Sequence, residues 1–206
     1  MDALTSTRRL LHGVAEGLLA GPQHRSCGRI ALRVVPGGFA TVGRPALRLD
    51  GTDLVIDEGR RVPLNGTLGD VGAATGHGYG EPVDVYHQHS GTSADDSLEL
   101  DADARGVIVD WYVLGDAALR ALAPNEVPTL WPEHFDVAIL LQDRSFGVSA
   151  GDDYSPQPYA YVSDNVLPRD DFWNAPFGAC RPAEQLSGVA DLVAFWSAGL
   201  DRISST

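Results

Sequence analysis

Two stretches carry the side chains through which this sequence could do chemistry. In "LWPEHFDVAI", Leu130 to Ile139, the residues Glu133, His134 and Asp136 fall within four positions of an otherwise apolar run. Read as a strand, with its period of two, the segment puts His134 and Asp136 side by side on one face. Trp131, Glu133, Phe135 and Val137 take the other face. An imidazole beside a carboxylate keeps one tautomer and a raised basicity, as a general base needs. His134 is then the base or ligand and Asp136 its orienting partner. Glu133, aimed at the apolar side, needs a donor or keeps its proton. The same pair can also serve structure alone, by bonding to nearby backbone.

The second stretch is "YHQH". His87 and His89 are again two apart, in a Gly-rich run. Folded over the first segment, His87, His89, His134 and Asp136 make a site of three imidazoles and one carboxylate, which suits a divalent metal such as Zn, Fe, Mn or Ni. Two histidines in such a loop are also commonly just solvated.

A third group is aromatic. Tyr154, Tyr159, Tyr161, Phe172, Trp173 and Phe177 lie within 24 residues, interleaved with Pro and Gly. With Trp131, Asp152, Asp153 and Asn174 they can wall a pocket for a small polar molecule. Displayed on a flat face, they would instead dock a protein partner. No G-x-S-x-G elbow, Walker A loop, dinucleotide fingerprint or H-E-x-x-H helix is present.

The elements that must position these residues read as an α+β chain, an antiparallel sheet with N-terminal, central and C-terminal helices packed on it. Leu10, Leu11, Val14 and Leu18 mark a helix over residues 5–20, ended by Gly21-Pro22. Residues 28–64 read as a meander of three to five strands, with a hairpin at Asp50-Gly51. A weak helix spans 67–75. Residues 76–105 lose periodicity and form a long loop, with a short strand near Val83 to His87. Such a loop inside a compact domain is often functional. Residues 106–122 return to helix, and Leu130 to Leu141 is a strand. "RSFGVS" is turn or loop, "YAYV" a strand, "DDFWNAPFGACRP" an aromatic loop, and 183–202 the last helix. No repeat or linker is visible, which predicts a single domain over 1–206.

Composition narrows the function classes. The 206 residues are 44% hydrophobic and 21% charged, ordinary for a folded domain. Net charge is −13 and every one of the 15 basic residues is Arg. That balance disfavours nucleic acid and anionic membranes. Without Lys there is no Schiff-base chemistry. Cys27 and Cys180 are expected to be two buried thiols. No window approaches a membrane span, and no apolar signal-peptide core leads the chain, so the expected location is cytoplasmic.

In "GRIALRVVPGGFATV", "LWPEHFDVAI" and "FGVSAGDDYSPQPYAYV…DDFWNAPFGA" the chain resembles a family of uncharacterised actinobacterial proteins. The resemblance covers most of the chain and implies a shared fold; it carries no function with it. The family's turn reads more like N-Y-G-V-S-P-G-D where this chain has Ser145 to Asp152. Gly-Pro-Trp tends to follow its "YAYV", where Ser163, Asp164 and Asn165 stand here. His87 and His89 lie outside the shared motifs.

Overall fold

A computed structural model describes residues 2–57, 59–164 and 170–204; Asn165 lies outside them. The chain is α+β, with helices packed on antiparallel strands. It divides into two compact units: Met1–Val109 with Leu130–Phe135, and Asp110–Thr129 with Asp136–Thr206. No helix among the described residues is long and apolar enough to cross a membrane.

The first unit opens with α1, Ala3–Gly13, whose first turn is capped by Asp2 accepting from the Thr5 amide at 2.7 Å. The helix then widens into a π-helical turn, Val14–Ala20, and continues as α2, Gly21–Cys27. Every residue of the π turn is buried. Gly28, in the left-handed conformation, ends α2. The Gln23 side chain ties α2 to the strands: it donates to the Arg29 and Ala31 carbonyls and accepts from the Val42 and Gly43 amides.

The predicted meander is five strands: β1 Leu32–Val35, β2 Gly38–Thr41, β3 Leu47–Asp50, β4 Asp53–Ile56 and β5 Arg60–Pro63. Each pairs with the next in antiparallel register, and the turn after Asp50 places Gly51 at φ 64°. β6, Thr129–Trp131, joins through Leu130 opposite Leu32. α3, Leu68–Thr75, carries a reciprocal capping box between Thr67 and Asp70. Residues 76–101 contain no helix or strand, as periodicity predicted; the short strand expected near Val83 to His87 does not form.

The strand expected over Leu130 to Leu141 is two strands. β6 stops at Trp131 and β7, Asp136–Leu141, starts at Asp136. Between them the chain turns, with the Phe135 amide bonded to the Trp131 carbonyl at 2.8 Å and Phe135 at φ 50°. Pro132 has no amide to give a ladder. Phe135 is buried edge-on against Phe39, ring centroids 5.8 Å apart, and that packing holds it in the left-handed region. Alternation therefore does not run through position 134.

In the second unit β7, β8 (Arg144–Ser149), β9 (Tyr159–Ser163) and β10 (Gly178–Pro182) pair in sequence, all antiparallel. Two of these read as loop in the sequence, because Gly147 and the Gly and Pro of β10 have poor strand propensity. Gly147 is needed there: a Cβ would meet the Tyr161 hydroxyl and the Val137 carbonyl, each at 2.7 Å. The long helix α4, Ala102–Leu122, contributes Trp111, whose indole donates to the Ser149 carbonyl at 2.9 Å. The last helix, α5, begins at Val189 and runs to Ser204, and its buried Trp196 donates to the Tyr161 carbonyl. Both cysteines are free thiols; Cys180 is buried, and Cys27, expected inside, is exposed near the end of α2.

The Tyr161 hydroxyl donates to the buried Asp136 carboxylate. Burial, then that neighbouring charge and hydrogen bond, push the phenol's pKa well up, so the hydroxyl keeps its proton. Tyr161→Phe is expected to lower stability by about 1–3 kcal/mol, because a buried charge loses a donor. A urea midpoint equal to wild type would contradict this.

Candidate functional site

Among the described residues of the first unit, the least exposed ionisable group is Glu16, 1% exposed, within the π turn. A buried carboxylate must be met by donors. Its Oε1 accepts from the Tyr86 hydroxyl at 3.2 Å and lies 2.7 Å from His89 Nδ1; its Oε2 accepts from the Ser90 amide at 2.9 Å. All three partners come from the long loop, 70 to 74 positions away. Burial works to raise the Glu16 pKa, but the Ser90 and His89 donors and the neighbouring His12 outweigh it, so the carboxyl titrates below its usual range. The ionised carboxylate can only accept, so the proton of that bond belongs to His89 Nδ1.

His89 also meets a second carboxylate. Glu81 Oε2 stands 3.2 Å from the same Nδ1. The ligand atoms of Glu16, Glu81 and His89 all lie within 4.8 Å of one another. Depth grades across the trio: Glu16 is sealed, while the His89 and Glu81 side chains are 29% and 47% exposed. Tyr86 packs its ring 5.1 Å from the His89 ring. Burial raises the Tyr86 pKa first, followed by the Glu16 charge and hydrogen bond and the charges of Glu81 and Glu133. Its phenol is therefore a donor at neutral pH.

The loop reaches this depth because the helix presents no side chains in its way. Gly13, Gly17 and Gly21 stand four apart on the face that receives it. A Cβ would strike Thr92 at Gly13, the Tyr79 ring at Gly17 and the Gly80 carbonyl at Gly21. Tyr79 in turn bonds Thr92 through their hydroxyls at 2.9 Å.

The "WPEHF" turn borders the same cluster. His12, four residues before Glu16, stacks on Phe135 with ring centroids 5.2 Å apart and planes 5° from parallel. Its Nε2 lies 2.6 Å from the Pro132 carbonyl, to which it donates. His134 Nε2 is 3.9 Å from Glu133 Oε1, and the two side chains are 55% and 32% exposed. His134 interacts electrostatically with His12, and Glu133 with Tyr86.

The sequence-predicted residues fall in both units. His89 joins a carboxylate pair; His87 is exposed on the same loop. His134 and Glu133 sit in the turn of the first unit, and Trp131 is exposed at the end of β6. Asp136 begins β7 of the second unit. Also in the second unit, Asp152 accepts from the Tyr159 hydroxyl at 2.5 Å and from the Tyr154 and Ser155 amides, while Asp153 is exposed. Tyr159 packs on Phe177 with centroids 6.1 Å apart. Asn174 bonds the backbone of Cys180 through both ends of its amide, and Trp173 lies edge-on to Phe172. That group is tied together by its own hydrogen bonds and ring contacts.

Sequence reasoning missed Glu16, Glu81 and His12. One signal for Glu16 was available: a lone acid in "GVAEGLLAG", flanked by glycines every fourth residue.

No protein-family model, curated protein or solved structure matches the chain.

Burial holds the His12 pKa below its ordinary 6.5, with His134 and His89 adding to the effect and Glu16 and the Pro132 carbonyl opposing it. The unfolded chain then binds the proton first as pH falls, so the folded state loses stability below about pH 6.5. Thermal midpoints are expected to fall from pH 7 to pH 5, and less steeply in His12→Gln. Parallel pH profiles for the two proteins would contradict this.

Proposed function

We propose that the first unit binds a divalent metal ion through Glu16, Glu81 and His89. One observation carries the reading: two carboxylates converge on a single ring nitrogen, at 2.7 and 3.2 Å. A protonated ring nitrogen serves one acceptor well; a metal ion serves both carboxylates and the nitrogen at once. An ion about 2.1 Å from each atom brings any two of them within about 4.2 Å. The exposed Glu81 closes that gap by side-chain rotation. One imidazole with two carboxylates suits Mn, Fe or Zn better than Mg or Ca, which prefer all-oxygen shells.

Three protein ligands leave coordination positions open. Glu133 and His134, charged and hydrogen-bonding groups beside this cluster, then supply a polar rim for water or a small polar molecule on the ion. Tyr86 and Ser90 act through Glu16: each donates to its carboxylate and fixes its direction.

The test is metal titration of the metal-stripped protein by calorimetry, with elemental analysis after dialysis. Wild type is expected to hold one Zn²⁺ or Mn²⁺ per chain, and Glu16→Gln none. Tyr86→Phe is expected to bind about 10–100-fold more weakly, as loss of a ligand's hydrogen-bond partner costs. Equal stoichiometry and affinity in wild type and Glu16→Gln would overturn the reading.

A further inference from the structure

The two loop ligands stand at the two ends of one short segment. Glu81 follows Gly80, whose amide bonds the Gly17 carbonyl at 3.0 Å. His89 precedes Ser90, whose amide bonds Glu16 and whose hydroxyl pairs with Thr92 at 2.7 Å. Outside these two points the loop is fastened many times. Arg25 donates to the His77 and Gly80 carbonyls. Arg9 grips the Asp96 carboxylate with two nitrogens and also the Gly91 carbonyl. The Leu68 and Gly69 amides bond the Asp96 and Ala94 carbonyls, and Leu98 bonds Gly66.

Between Glu81 and His89 the attachment changes in kind. Val83 and Val85 are exposed, Asp84 sits at φ 60°, and His87 and Gln88 face solvent. Tyr86 alone of residues 82–88 reaches Glu16, through its hydroxyl. The segment is an Ω-shaped tip whose neck is the carboxylate–imidazole–carboxylate cluster.

We propose, resting on the metal reading, that the ion pins this neck and that the tip at residues 82–88 is therefore a metal-responsive element. The ion bonds Glu81 and His89 at once only while the neck is closed. Its differential affinity for the closed state is transmitted to the tip as protection from opening. The anchors beyond the neck are complete without the ion, so the response is local. Metal occupancy sets how long Val83, Val85 and His87 are held in one arrangement, and the surface they display changes with it.

Hydrogen exchange by mass spectrometry on the full chain, metal-stripped and then saturated with Zn²⁺, tests this, with Zn²⁺ stoichiometry measured on the same samples. Amides of residues 83–88 are expected to exchange at least about tenfold more slowly with Zn²⁺. Those of Gly69 and Leu98, on the permanent anchors, are expected to stay the same. Glu81→Gln, a change at an exposed side chain, is expected to weaken Zn²⁺ binding and remove the protection at equal Zn²⁺ concentration. One Zn²⁺ bound per chain with exchange at 83–88 unchanged overturns the pinned neck and leaves the metal site standing. No Zn²⁺ bound overturns both.

Discussion

A carboxylate sealed inside a protein has to be answered, and in the first unit that carboxylate is Glu16. Its charge costs several kcal/mol to bury unless donors surround it. The donors available are a phenol, an imidazole and a backbone amide, all from one loop. The need of that one helix residue draws in Tyr86, His89 and Ser90, while Arg9, Arg25 and backbone bonds fasten the rest of the loop. Removing the charge removes the reason for Tyr86, His89 and Ser90 to converge.

Backbone geometry makes that convergence sterically allowed. The helix widens to a π turn at Val14–Ala20, a local arrangement often found where a helix has a functional task. Gly13, Gly17 and Gly21 then open a face that receives the loop's Thr92 side chain, Tyr79 ring and Gly80 carbonyl. His12, one turn earlier, is fixed by a stacked ring and a carbonyl, both supplied by the "WPEHF" turn. Helix, loop and turn thus place three imidazoles and three carboxylates in one neighbourhood of the first unit.

Much of the frame was legible in the sequence. Periodicity placed the start of the first helix, α3, α4 and the last helix, the Asp50-Gly51 hairpin, and the unstructured run after Gly76; the stop expected at Gly21-Pro22 does not form, since the helix runs on to Cys27. Locally coded features such as the capping box of α3 and glycine turns are readable because their cause lies within a few residues. The "LWPEHFDVAI" segment misled because its apolar residues read as one strand. Burial of Phe135 against Phe39 and His12, contacts 96 and 123 positions away in sequence, decides instead for a turn. Likewise β8 and β10 are strands through their partners, and their own propensities say little. His89 stood out by type and spacing. Its buried carboxylate partner, Glu16, lies 73 residues earlier in a helix of opposite appearance, and nothing local links the two.

The most direct measurement is anomalous scattering from a crystal soaked in Mn²⁺. The account requires a difference peak within about 2.0–2.3 Å of His89 Nδ1 and of carboxylate oxygens from both Glu16 and Glu81. Ordered Mn²⁺ elsewhere on the chain, with His89 Nδ1 still hydrogen-bonded to Glu16, would contradict it.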